Sequence, residues 1–196
     1  MLYNENKTVL NLSKIDLTDD ELFDVAMSNT DYKIERDADK NLILIESSGF
    51  ESDNTSFEIA REVGNWNEET QQGKVVASNA GFALPSKAMR SPDSAWISNK
   101  IIDEIPAEMR KKFFPACPEF IVEVKSPSDT VADLKEKMVE WIENGCELAW
   151  LVNPDDESVW VYRKNEEPFL QSYKQILTGY DVLKGFELNL SKLFKK

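Results

Sequence analysis

From Thr130 to Asn144, Val131, Leu134, Met138, Trp141 and Ile142 fall on one apolar stripe, with Lys135 and Lys137 off it. That spacing predicts a helix. Gly145 closes it, since glycine suits the position just past a helix end. The run before it, Phe120-Ile121-Val122-Glu123-Val124-Lys125, is apolar, β-branched and bounded by Pro, so it predicts a short buried strand. Glu147 to Val152 predicts another. A helix joining two strands makes a βαβ unit, in which the strands are parallel neighbours.

The same reading extends in both directions. Residues 1–17 are expected to be a loose lead-in, and 18–196 to form a single domain. Thr18 and Glu21 have capping-box spacing ahead of Leu22, Phe23, Val25, Ala26 and Met27, which predicts a helix ending near Asn29. Tyr32–Arg36 and Leu42–Glu46 predict two strands around a turn, followed by a polar loop over 47–54. A second helix is expected from Thr55, with Ile59, Val63 and Trp66 inside and Gly73 as its stop. Beyond it come a strand from Val75, a tight turn at Pro85-Ser86-Lys87, and a strand that continues past Pro92. Ile101 to Phe114 is charged and helical in pattern. Val159–Arg163 predicts a strand after a turn at Asn153-Pro154, and the tail predicts a strand or two and a short terminal helix.

Charge and composition narrow the chemistry. The 196 residues contain no His, which excludes imidazole bases, Ser-His and Cys-His nucleophile systems, and His-ligated zinc. Cys117 and Cys146 make no Cys-x-x-Cys, so two free thiols in a reducing compartment are expected. No apolar run is long enough for a bilayer and the start lacks a signal core. The expected location is cytoplasmic, with no membrane partner. A net charge of −13 counts against a chain that coats itself in nucleic acid, but not against a small cleft with local positive charge. The basic triplet Arg110-Lys111-Lys112 reads as a solvated helix face, or as a phosphate contact if DNA binds.

Within the predicted strand, period-2 alternation places Glu123 and Lys125 on one face and Val122 and Val124 on the other. A carboxylate and an ammonium on a buried strand are costly unless paired or used. Asp93, in Ser91-Pro92-Asp93, completes a cluster suited to a hard divalent cation. Mg²⁺ accepts one or two carboxylates, and the Val124 carbonyl offers another oxygen. Lys125 would orient or deprotonate a water. The spacing alone also fits surface charges on an exposed face. Glu58 likewise has two readings: a cap partner of Thr55, or a carboxylate aimed at the metal cluster.

Ser91-Pro92-Asp93 followed by Glu123-Val124-Lys125 resembles the Pro-Asp…(Asp/Glu)-x-Lys signature of the PD-(D/E)XK nucleases. Gly81-Phe82-Ala83-Leu84-Pro85, Arg90 to Trp96, Glu123 to Asp129, Trp150 to Pro154, Asn144-Gly145 and Gly185-Phe186 resemble the Uma-type restriction-endonuclease-like family abundant in cyanobacteria. The resemblance implies an α/β (α+β) restriction-endonuclease-like core, with a central mixed β-sheet flanked by helices. It implies Asp93 and Glu123 as metal ligands, Lys125 as the catalytic lysine, Glu58 as an extra carboxylate, and Lys137 as a phosphate contact; Arg90 is a further substrate-binding candidate. The expected function is a Mg²⁺-dependent (or Mn²⁺-dependent) DNA endonuclease, acting as a homodimer because two strands call for two sites. Two rivals stand beside it: a catalytically silent binding module, and a metal-dependent hydrolase of RNA or another phosphate ester.

Overall fold

The computed structural model describes residues 7–12, 14–46 and 49–194. β1 (Lys7–Leu10) lies inside the expected lead-in and α1 (Asp19–Ser28) follows it. The capping box forms: the Glu21 N–H donates to Thr18 Oγ1 at 3.2 Å, and the Thr18 N–H donates to Glu21 Oε2 at 2.8 Å. β2 (Lys33–Arg36) and β3 (Leu42–Ile45) make the expected hairpin, and β1 adds antiparallel to β3. α2 (Phe50–Thr70) starts at Phe50, not at Thr55. Thr55 sits inside the helix, where its Oγ1 donates back to the Glu51 carbonyl at 2.8 Å. Residues 47 and 48 of the expected polar loop lie outside the described residues.

Gln71, in the left-handed conformation (φ 54°), ends α2 in place of Gly73. Gly73 instead opens β4 (Gly73–Ala77), where a Cβ would collide with the Ile97 carbonyl and the Trp96 ring. β5 (Phe82–Ala83) and β6 (Met89–Arg90) flank the turn at Pro85. Across Ser91-Pro92-Asp93 the chain changes sheets: β6 pairs with β2, whereas β7 (Ser94–Ser98) pairs with β4. The single strand expected through Pro92 is therefore two strands, because proline has no N–H to continue a ladder. α3 (Asn99–Glu104) and a 3₁₀ turn at Met109–Lys111 replace the one helix expected from Ile101 to Phe114. Pro106 breaks it, with Ile105 before it extended.

β8 (Phe120–Val124), α4 (Val131–Glu143) and β9 (Leu148–Asn153) form the βαβ unit, with β8 and β9 parallel. Gly145, at φ 115°, follows the end of α4. β10 (Ser158–Arg163), β11 (Phe169–Ser172), the short pair β12 (Leu177–Thr178) and β13 (Glu187–Leu188), and α5 (Leu190–Leu193) complete the chain.

The larger sheet runs β11-β10-β9-β8-β7-β4, and the second β1-β3-β2-β6-β5. Only the β8–β9 pair is parallel among the described strands, so the sheet is mixed, as expected. β8 lies between two cores. Phe120, Val122 and Val124 join Ile59, Val63 and Trp66 of α2 on one face. Ile121 joins Leu134, Met138 and Trp141 of α4 on the other. Burial on both faces explains why the strand reads as a continuous apolar run. The same alternation sends Glu123 toward α4, where it is 4% exposed, so it is not a surface charge. Among the described residues no helix is long and apolar enough to cross a membrane.

Candidate active site

The sheet change at Pro92 positions Asp93. Its N–H donates to the Val122 carbonyl at 3.1 Å, and its Oδ2 accepts the Val124 N–H at 2.8 Å. Lys33 Nζ lies 3.8 Å from Oδ1, a looser contact. One strand over, Glu123 Oε1 accepts the Trp141 indole N–H at 3.0 Å and faces Lys137 Nζ at 2.9 Å. Both carboxylates line a cleft of about 1250 Å³ that runs between the end of the large sheet, α4 and the second sheet.

Lys137 does not stop at Glu123. Its ammonium also donates to Glu35 Oε1 at 3.0 Å. Glu35 is on β2, in the second sheet, and is 2% exposed. Its Oε1 also accepts the Ser91 N–H at 3.1 Å, and its Oε2 accepts from Arg90 at 3.1 Å. Arg90 Nε in turn donates to Glu140 Oε2 at 2.5 Å. An alternating ionic chain thus runs Glu123, Lys137, Glu35, Arg90, Glu140, tying β8, α4, β2 and β6 together.

Buried charge is expensive, and this chain offsets that cost by alternation of sign. Burial pushes the Glu123 carboxyl above the usual glutamate range; Lys137 opposes that and Asp93 adds to it. Burial also pushes on Glu35, yet Lys137, Arg90 and Lys33 together hold it well below that range. For Lys137, burial would lower the ammonium, but Glu123 and Glu35 keep it firmly protonated.

The sequence-predicted residues divide into two groups. Asp93, Glu123, the Val124 backbone, Arg90 and Lys137 all line the cleft. Arg90, read as a substrate-binding candidate, and Lys137, read as a phosphate contact, are both bound to carboxylates of the chain itself. Lys125 does not share the position of Glu123. β8 ends at Val124, and the Lys125 ammonium reaches Asp155 Oδ2 at 2.8 Å and the Ser126 carbonyl at 3.2 Å, outside the cleft lining. Strand alternation fails there because the strand has finished. Glu58 also lies outside that lining. It is neither cap partner nor cluster member, but an interior residue of α2 paired with Arg61 at 2.7 Å. Lys111 and Lys112 pair with Glu108 and Asp20, as a solvated face does.

Sequence reasoning missed Glu35, Glu140 and the role of the Trp141 N–H. A faint signal existed for Glu35. Three of the four residues in Lys33-Ile34-Glu35-Arg36 are charged, opposite the wholly apolar Leu42–Ile45 in the same hairpin. An excess of charge in a strand facing an apolar partner marks a side that meets something polar.

Comparison with known proteins agrees with this architecture. A family model, Uma2, described as "Putative restriction endonuclease", matches residues 19–191. No curated protein matches the chain. Among solved structures, the fold is similar to that of a "putative nuclease belonging to DUF820" from Anabaena variabilis ATCC 29413. The TM-score is 0.74 at 17% identity, covering 91% of this chain and 98% of that one.

Proposed function

Because the chain belongs to the Uma2 family of restriction-endonuclease-like proteins, we propose that it is an endonuclease that hydrolyses DNA phosphodiester bonds with Mg²⁺, or with Mn²⁺ in its place. The observation that carries the reading is the meeting of Asp93, just before β7, and Glu123, on the neighbouring β8, in a cleft that also holds the Lys137 ammonium. Their donor set fits a hard cation. Among the described residues no three Asp, Glu, Cys or His side chains converge into a ready cage. Two carboxylates and the Val124 carbonyl are what Mg²⁺ accepts when substrate phosphate and water supply the rest. Among the described residues, Asp93 Oδ2 is pinned by a backbone amide, Oδ1 has only its loose lysine contact, and both contacts of Glu123 fall on Oε1. One oxygen of each carboxylate is thus held and the other is available.

When bound, such a cation supplies phosphoryl polarisation and a lowered pKa for water. The chain's own residues do the rest. The Val124 amide and the Val122 carbonyl fix Asp93, and the Trp141 indole fixes the rotamer of Glu123. Lys137, protonated throughout the neutral range, serves as a charge and hydrogen-bond donor toward a phosphate oxygen, not as a base. In this reading the lysine at the cleft is Lys137, not Lys125.

The direct test is nicking of supercoiled plasmid in Mg²⁺ and in Mn²⁺, beside an identically purified Glu123→Gln variant. The reading expects metal-dependent cutting by the wild type alone; equal cutting by both preparations, or none by either, sinks it. A linear product would support paired sites in a homodimer, and nicked circles alone a single working site. One observation favours a narrower substrate. Among the side chains lining the cleft, Asp and Glu outnumber Lys7, Lys33, Arg90 and Lys137 about eleven to four. A duplex concentrates phosphate charge more than a single strand or a small phosphate ester does, so these belong in the same substrate panel.

A further inference from the structure

Lys137 is long, flexible and placed between two carboxylates that differ in kind. Glu123 faces Asp93 and the cleft. Glu35 comes from the other sheet and is held from three directions, by Lys137, by Arg90 and by the Ser91 amide. Its side chain has no freedom to follow a ligand. From this contrast we infer that Glu35 is the positioning residue of the centre: it anchors the Lys137 ammonium at the cleft so that the lysine can release Glu123 without leaving.

This role of Glu35, which rests on the proposed hydrolytic reading, follows from charge and distance. A single ammonium at 2.9 Å from Glu123 and 3.0 Å from Glu35 is shared. With Glu35 in place, a cation that takes up Glu123 displaces only half of the lysine's partners. The ammonium then stays tethered beside the reacting phosphate, pre-oriented at little entropic cost. Without Glu35, the lysine turns wholly to Glu123 and competes with the cation for it. Arg90 makes the anchor stiff, because its guanidinium is itself fixed to Glu140 of the same helix that carries Lys137. Glu35 therefore acts through Lys137 and touches neither substrate nor cation.

Two readouts test this in the full-length protein, using Glu35→Gln, Glu35→Asp, Lys137→Gln and the Glu35→Gln/Lys137→Gln pair. Calorimetric titration with Mn²⁺ alone is expected to show binding weakened on the order of tenfold in Glu35→Gln. In the Lys137→Gln background the Glu35 change is expected to add nothing. On a cleaved oligonucleotide, Glu35→Gln is expected to lower kcat on the order of 10- to 100-fold with KM within about threefold, and Glu35→Asp to recover part of it. Wild-type Mn²⁺ affinity and kcat in Glu35→Gln would overturn the inference. An undiminished effect of Glu35→Gln in the Lys137→Gln background would overturn it too, since Glu35 would then act independently of the lysine. If Glu35→Gln does not fold, Glu35→Asp, which keeps the charge and shortens its reach, carries the same comparison. A wild type that binds Mn²⁺ but cleaves nothing defeats the hydrolytic reading, and the Mn²⁺ titration still decides the role of Glu35.

Discussion

Lys125 and Lys137 show how far a residue's meaning depends on its surroundings. Lys125 has the sequence position of the motif lysine, but its ammonium is spent on Asp155 at 2.8 Å, beyond the end of β8. Lys137, expected from the resemblance as a phosphate contact, has its ammonium on Glu123. Replacing each by Met separates them: Lys137→Met is expected to lower kcat on the order of 10²- to 10³-fold, and Lys125→Met less than about threefold. Single-turnover cleavage rates check this. The thiols permit a second prediction. Burial pushes Cys117 up to about 12 and raises Cys146 well above its ordinary value. At pH 8 a thiol reagent such as DTNB is expected to leave both unmodified in the native protein and to titrate both in denaturant. A folded thiol whose pKa is raised favours the neutral form. Its contribution to stability is present below pH 9 and is lost between there and 12, by at most about 1.4 kcal/mol per pH unit per thiol. At this scale Asp93 and Glu123, which share the cleft, could be picked out from two short runs, Ser91-Pro92-Asp93 and Glu123-Val124-Lys125. Glu35 could not, since its partner Lys137 is 102 positions away.

Among the elements, those with strong local signals emerged from sequence nearly intact. The helix stripe of α4, the cap of α1 and the β8–α4–β9 unit are set by periodicity and short-range hydrogen bonds. The misreadings fall where long-range contacts decide. α2 starts at Phe50 behind Gly49, which has no side chain to cap it, so no Ser, Thr, Asp or Asn marks its true start in the sequence. The strand through Pro92 divides because two sheets compete for it. The second sheet is clasped to α4 by Arg90, which ends β6 and joins Glu35 of β2 to Glu140 of α4. Replacing it with Met leaves Glu35 and Glu140 each short of a cation in a buried setting. Arg90→Met is expected to destabilise the fold by about 3 kcal/mol, measured as a shift in the urea midpoint at unchanged m-value.

Over the whole molecule, acidity governs how a polyanion can approach. With a net charge of −13 and four basic side chains lining the cleft, the protein cannot release many counterions on binding DNA. In the Glu123→Gln variant without divalent cation, the slope of log K against log salt for a duplex is expected to be no steeper than about −3.6, and shallower still while Arg90 and Lys137 stay paired internally. Fluorescence anisotropy of a labelled duplex over a salt series measures it, and a steeper slope would point to a basic surface outside the cleft.

The position of Lys137 between two acids has one more consequence, for storage and handling. If the proposed cation binds there, the centre would act as an ion exchanger delivered already loaded with its own ammonium. Its carboxylates do not repel one another while they wait, and the chain can mature in a medium stripped of divalent metal. EDTA is therefore expected to abolish cutting while leaving the protein folded, its melting temperature lowered by no more than the loss of the bound cation requires.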